Sequence, residues 1–148
     1  MRLILAAAFG LVTLTAMPAA AQGAGEALAS AIAAARADDW RRAAYRAEPA
    51  GPAAEAYVEW RRLRAGEGSF DDYRAFLADH ADFPGLGYLR LQGEGAIPAG
   101  ARPEDVLAYF DGALPRTSGG VLRLLEAHDA LDPRGDAEAL AALEWRSL

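Results

Sequence analysis

Short amphipathic stretches alternate along the chain with glycine, proline and acidic breakers, and the apolar spacing within each stretch is helical. From about Gly25 to Arg36, Leu28, Ile32 and Ala35 recur every three or four residues and predict a first helix. Asp38 or Asp39 is placed to cap a second, which carries Trp40, Ala43, Ala44 and Ala47 and stops before Pro49. Pro52 suits the first turn of a third, with Ala56, Trp60 and Leu63 facing inward and Gly66 just past its end. The fourth has the clearest start: Ser69 is a good N-cap, Asp72 follows three residues later, and Phe70, Tyr73, Phe76 and Leu77 make a broad apolar stripe. Pro84 opens a fifth with Leu86, Leu89 and Ala96; Pro103 opens a sixth with Glu104 and Asp105 in its first turn, where the helix dipole favours acids. A seventh follows Thr117 or Ser118, with Val121, Leu122, Leu125 and His128 on its apolar side, and a last runs from about Asp136 to Leu148. Strand patterning is absent: nothing alternates with period two, and β-branched residues are scarce.

Taken in twos, these helices start near residues 26, 54, 85 and 119, a spacing of about 30 residues that is close to helix-hairpin repeats of the tetratricopeptide kind. One hairpin is too thin to bury its own apolar face, so neighbours must stack. The four pairs are not alike in sequence. The expected fold is therefore all-α, an irregular α-solenoid of about four hairpins; a compact helical bundle is the alternative. Leu140, Leu143 and Trp145 give the last helix an apolar face that no later helix covers. That predicts a domain cut short at its C-terminal end and self-association through this face.

The N-terminus reads differently. Arg2 precedes an uncharged apolar run from Leu3 to Ala16, Pro18 breaks it, and Ala19-Ala20-Ala21 offers small residues before Gln22. This is the order of a secretory signal peptide, and the run is short for a membrane-spanning anchor. The expectation is a signal peptide at residues 1–21 and a helical domain at 22–148, exported to the periplasm with no membrane anchor after cleavage. Losing Arg2 moves the formal charge from −6 to −7. An acidic chain is a poor match for nucleic acid or anionic lipid. There is no cysteine for a disulfide, and all 15 basic residues are arginine.

Candidate chemistry is thin. His80 and His128 lie far apart and neither has the i, i+4 partner of a helical zinc site, so no metal and no cofactor is expected. The acid pairs Asp71/Asp72 and Glu104/Asp105 could suggest glycoside chemistry. Both pairs sit in first helical turns, however, and adjacent residues on a helix point about 100° apart. Arg61, Arg62 and Arg64 form a basic cluster, suited to an anionic polymer or to pairing with Glu55, Glu59 or neighbouring acids. Trp40, Tyr57, Trp60 and Tyr73 have the rings to stack on sugars and the spacing of core residues. No nucleophile motif, P-loop or dinucleotide fingerprint occurs, so no catalytic residue is assigned.

Three segments in order carry a resemblance: Glu59-Trp60-Arg61-Arg62-Leu63-Arg64-Ala65-Gly66, Phe70-Asp71-Asp72-Tyr73-Arg74-Ala75-Phe76-Leu77, and His80-Ala81-Asp82-Phe83-Pro84-Gly85. Together with Leu89-Arg90 and Glu94-Gly95-Ala96-Ile97-Pro98, this series resembles the N-terminal superhelical region of soluble lytic murein transglycosylases of the alphaproteobacterial type, over about Ala27 to Leu148. Ala81 stands where that family often has proline, and Phe83 where it has tryptophan. The resemblance implies a scaffold that helps hold peptidoglycan glycan strands for a C-terminal lysozyme-like domain. That domain's catalytic glutamate is followed by serine, and no Glu-Ser dipeptide occurs here. The resemblance thus implies a non-catalytic region; the basic cluster and the rings, read by themselves, make Trp60, Arg61, Arg62, Arg64 and Tyr73 the candidate contacts to ligand or partner. A free-standing periplasmic tetratricopeptide-like protein–protein adaptor is the alternative.

Overall fold

The computed structural model describes residues 19–131 and is all-α over them. Its elements are α1 (Ala19–Arg36), α2 (Trp40–Ala47), a 3-10 turn (Glu48–Ala50), α3 (Pro52–Arg64), α4 (Phe70–Asp79), α5 (Leu86–Gly95), α6 (Pro103–Phe110) and α7 (Ser118–Leu131). The expected leader (apart from Ala19-Ala20-Ala21, at the start of α1) and the expected helix at Asp136–Leu148, with its apolar face, lie outside the described residues. No helix among the described residues is long and apolar enough to cross a membrane.

Local chemistry accounts for most boundaries. The Asp39 carboxylate accepts from the Arg42 amide at 3.1 Å and caps α2. At α4 both arms of a capping box form: the Asp72 amide donates to Ser69 Oγ at 3.2 Å, and the Ser69 amide donates to Asp72 Oδ2 at 2.9 Å. Pro52 and Pro103 occupy first turns, where no amide donor is needed. Pro84 does not open α5. The helix starts two residues later behind Gly85, which turns the chain at φ +74°, a conformation that costs a glycine little.

Two apolar cores meet at α3. The first is built almost wholly of small residues, Ala31, Ala34, Ala35, Ala43, Ala47 and Ala54 with Val58, which lets α1, α2 and α3 approach closely. The second gathers Leu63, Phe70, Tyr73, Phe76, Leu89, Ile97, Val106, Tyr109, Phe110 and Leu124 from α3 onward. Each helix packs on a neighbour in sequence, and the odd-numbered helices also touch in series, α1 on α3, α3 on α5 and α5 on α7.

Three inward assignments shift. Ala44 is exposed because α2 buries Ala43 and Ala47, and Ala56 is only half-buried because α3 buries Ala54 and Val58. In α7 the buried residues are Gly120, Leu124 and Ala127, while Leu122 is 50% exposed. The reason is Glu94 of α5, the one buried charged side chain among the described residues, at 4% exposure. Its carboxylate accepts from the Arg116 amide at 2.9 Å, the Thr117 amide at 2.8 Å and the Thr117 hydroxyl at 2.8 Å. Thr117 Oγ1 in turn accepts from the Gly120 amide at 2.9 Å. An anion at a helix N-terminus satisfies donors that the helix itself cannot. A Cβ at position 120 would stand 2.6 Å from Glu94 Oε2, so only glycine lets the carboxylate come this close.

This arrangement predicts that Glu94→Gln lowers the unfolding free energy by about 2 kcal/mol, since buried donors lose a charged acceptor. Gly120→Ala should destabilise in the same direction. Urea unfolding followed by circular dichroism measures both, and a wild-type midpoint for Glu94→Gln would contradict the capping role.

Candidate functional site

At about 100° per residue, Tyr57, Trp60, Arg61 and Arg64 share one strip of α3 roughly 100° wide. Glu55, Glu59 and Arg62 share the opposite strip. The two strips have different fates.

Arg62 is committed to structure. Its Nε and Nη2 donate to the two oxygens of Glu59 at 2.9 and 2.7 Å, Nη2 lies 2.9 Å from Asp72 Oδ2, and Nη1 donates to the Glu67 carbonyl at 2.6 Å. The hydrogen bonds to Glu59 hold this guanidinium above its ordinary pKa, against the opposing effect of burial. Asp72 is held below the ordinary carboxylate value, first by the Ser69 amide it accepts from and then by Arg62, with burial acting the other way. The cluster ties the end of α3 to the start of α4.

Arg64 is placed otherwise. Its guanidinium carbon lies 4.8 Å from the Trp60 ring centre and 4.9 Å from that of Tyr88. Among the described residues neither Arg64 nor Arg61 forms an ion pair. The expected pairing with Glu59 therefore holds for Arg62 alone. Trp60 is half-buried; its indole N–H donates to the Pro84 carbonyl at 2.9 Å, and its ring stands 5.9 Å from Tyr57 and 6.0 Å from Phe83. Gly85 completes the corner: a Cβ there would stand 2.9 Å from Arg64 Nη1. Tyr57 also borders an apolar groove of about 430 Å³ that includes Leu28, Ile32, Ala50 and Ala53.

Tyr73 is not a surface contact. At 1% exposure it belongs to the core, where its hydroxyl donates to the Leu63 carbonyl at 2.8 Å and burial pushes its pKa up. Tyr88, 42% exposed, takes its place among the accessible rings. Sequence spacing could not reveal it, because its contact with Arg64 is made across the Gly85 turn. Trp40 packs against the alanine core.

The remaining candidates resolve into structural roles. His80 caps α4, with its ring 4.5 Å from Phe76 and 5.6 Å from Phe83. No group of three or more His, Asp or Glu is placed to hold a metal among the described residues. Asp71 pairs with Arg74 at 3.2 Å, and Asp105 pairs with Arg74 and Arg102 at 2.7 Å each. Asp71 and Asp105 thus share Arg74 while Asp72 pairs with Arg62, so these carboxylates are engaged by arginines of the fold. A second cleft of about 530 Å³, between α4, α5 and α6, mixes Asp71 and Asp111 with Arg74 and Arg90.

No protein-family model matches the sequence, and no curated protein and no solved structure matches the chain.

The lowered pKa of Asp72 carries a pH prediction. Its stabilisation is fully present above its ordinary value of 3.8 and is lost as pH falls through the lower folded value. The thermal midpoint of wild type should exceed that of Asp72→Asn by a constant margin above about pH 5, and the margin should close as the pH falls below the carboxylate range. An unchanged gap at acid pH would show that the Asp72 charge contributes nothing.

Proposed function

We propose that the chain is a non-catalytic helical scaffold that holds peptidoglycan glycan strands, equivalent to the superhelical region of a periplasmic lytic transglycosylase. The observation that carries this reading is the accessible face of α3. Tyr57 and Trp60 offer half-buried rings, Arg64 and Tyr88 continue them onto α5, and an apolar groove extends them back to Leu28 and Ile32 of α1. A sugar ring presents C–H groups on its faces and hydroxyls at its edge, which suits a row of aromatic rings beside an arginine. The serial contact of α1, α3, α5 and α7 supports an irregular α-solenoid, in which such a face runs along one side. Strand cleavage belongs, in the family resembled, to a lysozyme-like domain whose Glu-Ser motif is missing from this sequence. No turnover is expected from residues 22–148 alone. A leader at residues 1–21 would deliver the scaffold to the periplasm.

A second reading, a periplasmic protein–protein adaptor, draws support from the apolar groove between α1 and α3, whose lining of Ala24, Leu28, Ile32, Ala50 and Ala53 suits an apolar segment of a protein partner.

Co-sedimentation of the purified chain with peptidoglycan sacculi tests the proposal, with anhydro-muropeptide release followed in the same tube. Binding without release is expected, and Trp60→Ala combined with Tyr88→Ala should weaken it about tenfold or more, as loss of roughly 1.4 kcal/mol requires. Release of product would overturn the scaffold reading. Failure to bind sacculi would favour the adaptor.

A further inference from the structure

We infer that Arg64 is a preformed receptor for a carboxylate, so that the α3 face takes an acidic strand in preference to a neutral one. The inference rests on the reading of this face as a peptidoglycan-holding surface, where the anionic groups are the free carboxylates of the stem peptides attached to the glycan.

Among the described residues Arg62, Arg74, Arg102 and Arg123 each pair with at least one carboxylate, and the other eight arginines, Arg64 among them, form no ion pair. Arg64 is exposed in a chain with six more acids than bases, yet among the described residues it has no carboxylate partner and makes no side-chain hydrogen bond. What fixes it is aromatic: the Trp60 and Tyr88 rings, at 4.8 and 4.9 Å. Trp60 is itself anchored, because its indole N–H is engaged by the Pro84 carbonyl. Ring contacts order the long side chain before any ligand arrives, which lowers the entropy cost of binding. They consume none of the five guanidinium N–H donors, whose fork matches a carboxylate. Gly85, which carries no side chain, lets Nη1 pack close to the turn, where a Cβ would stand 2.9 Å from it. Arg61 lies on the same strip of α3 and adds a second positive charge, and that strip carries no acid. At physiological ionic strength charges are screened over about 8 Å, so these two arginines set the local potential despite the acidic whole.

The test compares three forms of sacculi with wild type, Arg64→Gln and Trp60→Ala: untreated, with stem-peptide carboxylates amidated, and with stem peptides removed. Wild-type affinity should drop about tenfold on amidation or peptide removal. Arg64→Gln should show that same loss on untreated sacculi and no further loss on amidated ones. If Arg64→Gln binds untreated sacculi like wild type, or loses as much again on amidation, the receptor is overturned, while binding that still depends on Trp60 upholds the scaffold reading. Soluble poly-L-glutamate and polyphosphate of equal charge separate the two claims further. Poly-L-glutamate binding that Arg64→Gln abolishes, without binding to any sacculus, upholds the receptor and overturns the peptidoglycan reading. Preference for polyphosphate overturns the assignment to carboxylate. Circular dichroism of Arg64→Gln should match wild type, because the side chain is exposed.

Discussion

Helix α3 is held from two opposite sides at once, and that constraint decides what the rest of the molecule can present. Ala54 and Val58 seat it against α1 and α2; Leu63, nine residues after Ala54 and so about 180° round the helix, seats it against the aromatic core. The buried hydroxyl of Tyr73 donates to the Leu63 carbonyl and fixes the end of α3 on α4. Only two narrow strips remain open to solvent. One becomes the ion-pair cluster around Arg62, and the other the aromatic and arginine face.

The same economy governs the polar groups. Arg62 and Asp72 bind the α3–α4 corner, Arg74 spans α4 and α6 through Asp105, and Glu94 joins α5 to the start of α7. Each of these links elements that also meet in the apolar core. The weight of each link differs. Exposed ion pairs contribute little, whereas the buried Glu94 carboxylate sits among donors that have no other acceptor, and its loss is costly. Tyr109 shares this neighbourhood: burial, helped by the nearby Glu94 charge, raises its pKa, and its hydroxyl donates to the Arg90 carbonyl at 2.5 Å.

Helix starts were legible because their causes are local. Ser69 with Asp72, Asp39, Pro52 and Pro103 act within one turn of the chain, so spacing alone identifies them. Faces were less legible where a distant group chose them. The apolar residues of α7 suggested Val121, Leu122 and Leu125, but Glu94, more than 20 residues earlier, draws the Gly120 side inward. Candidate contacts divided in the same way. The arginine cluster was visible, yet its split into an ion-paired Arg62 and a ring-stacked Arg64 depends on where Asp72 and Tyr88 fall in space. Tyr73 was indistinguishable by spacing from an accessible ring, and its burial follows from the packing of α4 between α3 and α5.

On the proposed function, an extended ligand lies along the α3 face and not in the mixed-charge cleft beside α4 and α6. Amide and indole chemical-shift mapping during titration with soluble peptidoglycan fragments distinguishes the two placements. The Trp60 indole and the amides from Tyr57 to Arg64 and around Tyr88 should shift, while the Trp40 indole and the residues about Arg74 and Asp111 stay in place. Shifts concentrated at Arg74, Arg90 and Asp111, with the α3 face silent, would contradict it.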